Sequence, residues 1–338
     1  MNYHIERLND DNSRKWEEFN NKSGEGSFFH TLKWKEILEQ LESVNPQYFL
    51  LFNKSDLMGI VPCIEHNIPF FKGYIPIPHT DFNNCIFHEE NPFILKFLLE
   101  KFKERKCSFG AFNTLNQDIF NIPLFPKFSF SDFGNLVIDL NIFPPDRIWE
   151  NLWPKKRQII RRFEKQGFTI KEITSLDELK LFYKFYAQNI EHLSGTLQPY
   201  SHFTLLWNKL FPDDMRITLM LKNESVAGGT LIFKHVPQKT VYYNYLALNR
   251  GLEGAHSQTY FLIWDIINWA WNNGFRKISL GRQPYADVLN PRYRIKTDFG
   301  ANFIPMYSKI FSLSKVFTIG YRCNRSIKNI QHYLKPRI

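Results

Sequence analysis

Cysteine is scarce in this chain of 338 residues: Cys63, Cys85, Cys107 and Cys323 are scattered, with no C-x-x-C pair. That spacing argues against a zinc ribbon or a paired redox motif and predicts reduced thiols in a core. Metal-ligand spacing is missing among His4, His30, His66, His79 and His88, and "HEEN" at 88–91 lacks the second histidine of a zincin. No metal site is expected. There is no phosphate-loop motif and no Ser-His-Asp order, so no covalent nucleophile is expected either. Long apolar runs are also absent. The longest, "YFLIWDIINWAW", is interrupted by Asp265 and Asn268 and is too short to cross a bilayer. The opening "MNYHIERLNDDNS" is polar and acidic, which predicts no secretory leader and a cytoplasmic protein.

What is present is a globular composition, 43% hydrophobic and 17% aromatic. The length favours two domains over a single core. The net charge of +10 is unevenly placed. From Arg250 onward there are 14 Lys and Arg against four acids, Glu253, Asp265, Asp287 and Asp298, and the remainder is balanced. An excess confined to the last quarter points to an acidic partner: a nucleic acid, a phosphorylated ligand or an anionic membrane.

The chain also resembles itself. "NKSDLMGIVPCI" (53–64) and "KNESVAGGTLIF" (222–233) both read as a hairpin turn entering a strand, and Gly59 matches Gly228 at an offset of 169 residues. "NPFILKFLLEKFKERKCSFGAF" (91–112) and "YFLIWDIINWAWNNGFRKISLG" (260–281) both read as an amphipathic helix followed by a strand, with Phe109 and Ala111 matching Ile278 and Leu280 at the same offset. A duplication follows, each half carrying helix, hairpin-like strands, helix and strand. Strands are expected at 48–52, 59–65 and 70–77, and again at 217–222, 227–234 and 240–248. The fold class is α/β, and the boundary falls near 145, where Pro144-Pro145 breaks structure: domains 1–145 and 146–338, the second including the basic tail. Pro154 fits a first helical position and Gly167 a helix end. "RYRIKTDFGAN" (292–302) reads as a strand carrying Arg292, Arg294 and Lys296 on one face.

Several stretches in order resemble the FemAB-like transferases, built from two GNAT-type acyltransferase domains in tandem. They are "FFHTLKWKEIL", "KKRQIIRRFEKQGFTIKEI", "VYYNYLALNRG" with the following "YFLIWDIINWAWNNGFRKISLGR", and "YRIKTDFGA". The resemblance covers most of the chain and is strongest from Lys155 to Ala301. It implies two GNAT-like domains, each a mixed sheet flanked by helices, and transfer of an aminoacyl or acyl group to an amine. The donor implied is aminoacyl-tRNA or an acyl thioester such as acyl-CoA, and no tightly bound cofactor. Two features depart from relatives. No long helical arm separates Gly167 from Leu219. The acetyl-CoA pattern, fitted with Gly254 as its first glycine, puts Gly251 where Gln or Arg belongs and His256 where a small residue belongs.

Candidate residues cluster in the second half. "NRGLEGAHS" joins a strand to a helix, so Arg250, Gly251, Gly254, Ala255, His256 and Ser257 are candidates for holding donor phosphate at a helix start, with Ser257 as N-cap. The alternative is an ordinary strand–helix loop. Gly281 ends the next strand, which places Arg282 at its C-terminal edge, where open α/β sheets bind ligands. Lys296 matches the lysine of the family's terminal motif. A cation there stabilises the tetrahedral oxyanion of acyl transfer or binds a phosphate; a surface position is the alternative. Tyr245 and Asp298 are candidates for proton transfer, with Asp287 and His256 beside them in sequence, and no spacing singles one out. Arg294 and Tyr285 are candidate substrate contacts. Arg157 and Arg161, four apart on the basic linker helix, are a candidate phosphate clamp or simply a solvated face. Cations at Arg322, Arg325 and Lys328 on the C-terminal helix suggest tRNA or an anionic membrane, or a capping helix.

The leading expectation is an N-acyltransferase that binds its donor in the second domain and the acceptor amine, such as a cell-envelope precursor, between domains. The alternative is a non-catalytic tandem module that binds RNA or a membrane surface.

Overall fold

The computed structural model describes residues 2–41, 44–78, 80–123, 125–129, 133–252, 255–284 and 289–323. Packing divides these into two compact units, and the division is not the simple halving expected at 145: the first unit runs to Gly134 and then takes residues from Ile304 onward, while the second runs from Asn135 to Phe303.

The first unit begins with β1 (Tyr3–Arg7), α1 (Ser13–Lys22), α2 (Leu32–Glu39), β2 (Asn45–Asn53), β3 (Asp56–Ile68) and β4 (Phe71–Pro76). It continues with the short β5 (Ile86–Phe87), α3 (Pro92–Glu104), β6 (Phe109–Thr114) and β7 (Lys127–Ser129). The second unit contains β8 (Phe133–Asp139), α4 (Pro145–Asn151), α5 (Pro154–Lys165), β9 (Phe168–Glu172), α6 (Leu176–His192), α7 (Tyr200–Leu210), β10 (Met215–Lys222), β11 (Ser225–His235) and β12 (Thr240–Leu248). It closes with α8 (Ala255–Asn272), β13 (Lys277–Pro284) and α9 (Pro291–Asp298). β14 (Asn302–Ser312) and α10 (Lys315–Cys323) then complete the first unit.

Local chemistry accounts for the helix ends. Asn91 caps α3 by accepting from Phe93 and Ile94 N–H, and Pro92 occupies the first position, where its missing donor costs nothing. α6 opens on a reciprocal cap: Ser175 Oγ accepts from Glu178 N–H, and Glu178 reaches back to Thr174 N–H at 2.8 Å. α5 begins at Pro154 and is followed by Gly167 at φ +75°, a left-handed position that glycine adopts without strain.

Within the first unit the strand order is β1-β2-β3-β4-β6-β14; in the second it is β9-β10-β11-β12-β13-β8. Each sheet is antiparallel until its fifth strand, which returns parallel after a helix. The expected repeat is visible in the irregularities. β3 bulges at Met58, left over where Leu51 pairs with Gly59 and Phe52 with Leu57, and β11 bulges at Ala227, left over where Met220 pairs with Gly228 and Leu221 with Val226, 169 residues later. Beside each bulge lies one of the matched glycines. A methyl group on Gly59 would meet the Ile86 carbonyl oxygen at 2.7 Å, and one on Gly228 would meet that of Ala247 at 2.8 Å.

One buried cluster in the second unit joins Leu136, Ile138, Ile160, Phe163, Tyr243 and Ile263 under α5 and α8. In the first unit, α10 buries Phe317 and Tyr321 against Phe109, Ile75 and Ile310. Phe317 stacks on Phe109 at 4.8 Å and Tyr321 on Phe128 at 4.2 Å. This aromatic packing is why residues 304–323 belong to the first unit and not to the second, where the sequence reading put the whole tail.

Three local expectations are corrected. Residues 291–298 form α9, not a strand: the Asn290 side chain accepts from Arg292 N–H, Pro291 follows, and Gly300 at φ +81° lies beyond the end. Gly281 does not end β13 but lies within it at φ +85°. α8 begins at Ala255, so Ser257 stands inside its first turn and is not its N-cap.

Candidate active site in the second unit

β12 and β13 run parallel, pairing Thr240, Val241 and Tyr242 with Lys277, Ile278 and Ser279. Among the described residues the ladder stops there, although β12 continues to Leu248 and β13 to Pro284. Where the ladder stops, β12 also bulges. Leu231 of β11 pairs with Tyr245 and Ile232 pairs with Tyr243, leaving Asn244 as the extra residue. The bulge reverses the alternation of side chains. Tyr243 packs into the cluster under α8, where burial holds its hydroxyl above the ordinary phenol range. Tyr245 faces the other way, ring to ring with Tyr186 and Phe203.

Tyr245 also meets a histidine that sequence reasoning missed. His202 Nε2 of α7 lies 3.0 Å from the Tyr245 hydroxyl. Burial pulls His202 down to about 4, so the imidazole is neutral at physiological pH. No spacing marked it, because α7 and β12 meet only in the folded unit. Asn189 of α6, 2% exposed, is a second unforeseen member: its Nδ2 donates to Leu246 O at 2.9 Å, and its Oδ1 accepts from Arg250 Nε at 2.9 Å. Arg250 is thereby fixed at the end of β12. Burial, and then the neighbouring Arg292 cation, lowers its guanidinium below the ordinary value.

A helix at 291–298 redistributes the three cations expected to share a face. Arg292 and Lys296 are four apart and fall on one side, and Arg294 falls on another. Lys296 on α9 and Arg282 on β13 are both half-buried. Arg294 is exposed and is close enough to Tyr260 to draw that phenol down slightly. Asp298 ends α9 in a connected set: Tyr260 Oη donates to Asp298 Oδ2 at 2.6 Å, Lys156 Nζ lies 3.5 Å from the same oxygen, and Lys156 also donates to Tyr260 Oη. Burial, then Asp298, holds the Tyr260 hydroxyl above the ordinary phenol range.

The linker arginines pack on α4. Arg157 donates to the Trp149 and Glu150 carbonyls at 3.3 and 3.2 Å, and Arg161 lies 5.3 Å over the Trp149 ring. Gly251 N–H donates to Asn249 Oδ1 at 3.1 Å. Gly254, Tyr285, Asp287, Arg325 and Lys328 lie outside the described residues, as do the side chains of Ala255 and His256. Among the described residues no group of three or more His, Cys, Asp or Glu is placed to hold a metal ion, and no helix is long and apolar enough to cross a membrane.

In the first unit the ladder between β4 and β6 also stops early, at Tyr74 and Gly110. There the chain fills its own opening. Asn83 donates to Ile77 O, Asn113 Nδ2 donates to Asn83 Oδ1 at 2.6 Å, and Ser308 Oγ donates to Asn113 Oδ1. Asn83 and Asn113 are each 1% exposed, so the chain's own side chains seal this network from solvent. Glu90, which precedes the α3 cap, accepts from the Thr114 hydroxyl of β6 at 2.8 Å.

No family model matches the sequence, and no curated protein matches it. Solved structures do. The chain is similar to the crystal structure of FemX, with a TM-score of 0.71 and 13% identity over 95% of this chain and 99% of that one. It is similar to a tandem GNAT protein from the clavulanic acid biosynthesis pathway, with a TM-score of 0.56 and 9% identity over 92% and 99%. It is also similar to L-PGS from Bacillus licheniformis, with a TM-score of 0.54 and 11% identity over 90% and 97%. Two repeated units, each with its parallel strand pair opening beyond a short ladder, thus have the tandem GNAT-type fold that FemX and its structural relatives share.

Proposed function

We propose that this chain is an N-acyltransferase whose second unit holds an activated acyl donor where β12 and β13 part. The reading rests above all on one observation: the ladder opens at Tyr242 and Ser279 just as the Asn244 bulge turns Tyr245 toward His202. The blocked counterpart in the first unit supports assigning the donor to the second.

The reaction forms a C–N bond between the acceptor amine and the donor carbonyl carbon and breaks the C–O bond of an aminoacyl ester or the C–S bond of a thioester. The amine loses a proton and the leaving oxygen or sulfur gains one. Tyr245 is the group assigned to that donation, with neutral His202 3.0 Å from its hydroxyl to orient it or exchange its proton. Lys296 is assigned to the oxyanion or to donor phosphate, where one well-placed donor contributes about 3–4 kcal/mol. Arg250 and Arg292 give the same region a positive end suited to donor phosphates. Aminoacyl-tRNA and acyl-CoA both fit this chemistry, and the basic last quarter favours the RNA donor.

The test pairs binding with turnover. Thermal shift against total aminoacyl-tRNA and a set of acyl-CoA thioesters identifies the donor class, and release of free tRNA or CoA in the presence of amines measures transfer. Tyr245→Phe is expected to keep donor binding and lose turnover; Lys296→Ala is expected to lose turnover, with donor binding kept if it serves the oxyanion and weakened if it serves a donor phosphate. Donor or RNA binding with no transfer to any amine would instead favour a non-catalytic binding module.

A further inference from the structure

A cavity of about 220 Å³ opens in the second unit between α4 and the end of α9, lined by Phe143, Ile148, Asn151, Trp153, Asp298 and Phe299 among others. Three of these walls are aromatic. Trp153 is 72% exposed, which is unusual for so large an apolar ring and fits a lip over the opening. The polar part of the lining is acceptor-rich. α4 ends at Asn151 and α9 ends at Asp298, so the wall is made by the last residues of both helices, whose own end carbonyls are already met by Arg157 and by the backbone of Phe299 and Gly300. The two contacts described for the Asp298 carboxylate both use Oδ2. Its Oδ1 remains as an acceptor on a side chain 24% exposed. Thr297 spends its hydroxyl proton on the helix carbonyls of Tyr293 and Arg294, which leaves its oxygen an acceptor as well. The nearby cations already have partners: Lys156 with Tyr260 and Oδ2 of Asp298, Arg157 with the Trp149 and Glu150 carbonyls, and Arg147 with the Ile142 carbonyl and the Phe143 ring, 5.2 Å from its centroid.

We propose that this cavity binds a primary ammonium group carried on a short apolar or aromatic stem. The ammonium supplies three donors to a site that offers acceptors and electron-rich ring faces, and the stem covers Phe143, Ile148 and Trp153. An anion would meet the Asp298 carboxylate. A neutral alcohol of the same shape would give Oδ1 of Asp298 one uncharged donor in place of a charge-assisted one. The volume suits a small amine or one amino-bearing side chain, not a nucleotide. The inference rests on the acyl-transfer reading in one respect only: it identifies the ligand as the acceptor amine.

Calorimetric titration of the full chain with 2-phenylethylamine, 2-phenylethanol and 3-phenylpropionate tests it without any turnover. The amine is expected to bind at least tenfold tighter than the alcohol, with no saturable binding of the carboxylate. Asp298→Asn should weaken the amine at least tenfold while moving the alcohol little. Trp153→Ala, at an exposed position that the fold does not need, should weaken both. Asn151→Asp should tighten the amine several-fold by adding a second carboxylate. Equal binding of amine and alcohol overturns the proposal, as does amine binding unmoved by both Trp153→Ala and Asn151→Asp. A lysine-bearing peptide, titrated in parallel with the free amine, separates an amino-acid side chain from a small-molecule source: whichever competes for the cavity is its ligand class. Amine binding with the expected variants but no transfer from any donor would keep the pocket and remove the acyltransferase reading. Transfer unaffected in Asp298→Asn and Trp153→Ala would remove the pocket alone.

Discussion

His202 Nε2 and the hydroxyl of Tyr245 lie 3.0 Å apart, joining the first turn of α7 to the residue just past the β12 bulge. The imidazole is 7% exposed and the phenol half-buried, so each holds the other in one orientation. That geometry holds the Tyr245 hydroxyl in one place, unlike a mobile surface group.

Tyr245→Phe keeps the ring packing and removes the proton. Turnover should fall by about 10²-fold or more. Stability should fall by about 1–3 kcal/mol, because a buried His202 nitrogen loses its partner. Urea melts and initial rates on the same preparation separate the two effects. Unchanged rates would remove Tyr245 from the chemistry.

Acid should destabilise the fold before most carboxylates titrate. Burial holds both His202 and His235 down at about 4, against 6.5 for an ordinary imidazole. The unfolded chain takes up these protons near 6.5, and the folded chain takes them up only near 4. The stability they contribute is therefore complete above about 6.5 and lost as pH falls toward 4, by about 3 kcal/mol for each. Urea unfolding at intervals from pH 7.5 to 4.5 measures the slope, and His202→Asn should remove about half of the histidine part of it. A variant with the wild-type slope would contradict this account.

Glu25 should act in the opposite direction. Burial, then the charge of Glu90, raises its carboxyl to about 7, even though Asn84 Nδ2 donates to it at 2.7 Å. The folded state keeps a proton there that the unfolded chain releases near 4.5, so stability falls as pH rises through about 7. Glu25→Gln should stabilise the protein by about 1–2 kcal/mol at pH 8 and hardly at all at pH 5. Melting temperatures at the two pH values check this, and an equal gain at both would show that charge is not the cause.

Gly228 should not tolerate a side chain. A methyl group there would stand 2.8 Å from the Ala247 carbonyl oxygen, which is backbone and cannot swing aside. Gly228→Ala should cost about 1–3 kcal/mol, as overpacking commonly does. By contrast, Gly24→Ala meets nothing within 4 Å and serves as the matched control. Equal stability of the two variants would place the repeat's glycine match among coincidences.

Much of the architecture was legible in particular residues. The Gly59 and Gly228 match located two equivalent strands, because both glycines answer the same steric demand beside equivalent bulges. Pro154 and Gly167 bracketed α5 because each fixes a backbone conformation locally. The strand expected at 240–248 was found with those bounds. The reading of 292–302 as a strand failed because it weighed the alternation of three charges above the Asn290-Pro291 start and the Phe299-Gly300 stop, which are the stronger local signals.

The candidate site was legible only in part. Tyr245, Asp298 and Arg250 were among the candidates, but His202, Asn189, Lys156 and Tyr260, which hold them, were not. Their partners are separated by 38 to 104 residues, and no local period encodes such a meeting.

Sequence by itself determined the elements, the doubling and the placement of charge, since each follows from neighbours within a few residues or from simple self-comparison. Tertiary structure alone decided two matters. It assigned residues 304–323 to the first unit, because Phe317 and Tyr321 find their buried partners on Phe109 and Phe128. And it sent Tyr243 and Tyr245 to opposite faces of one strand: an even spacing puts both on the same side, and only the register against β11, with Asn244 left over, turns one of them toward the site.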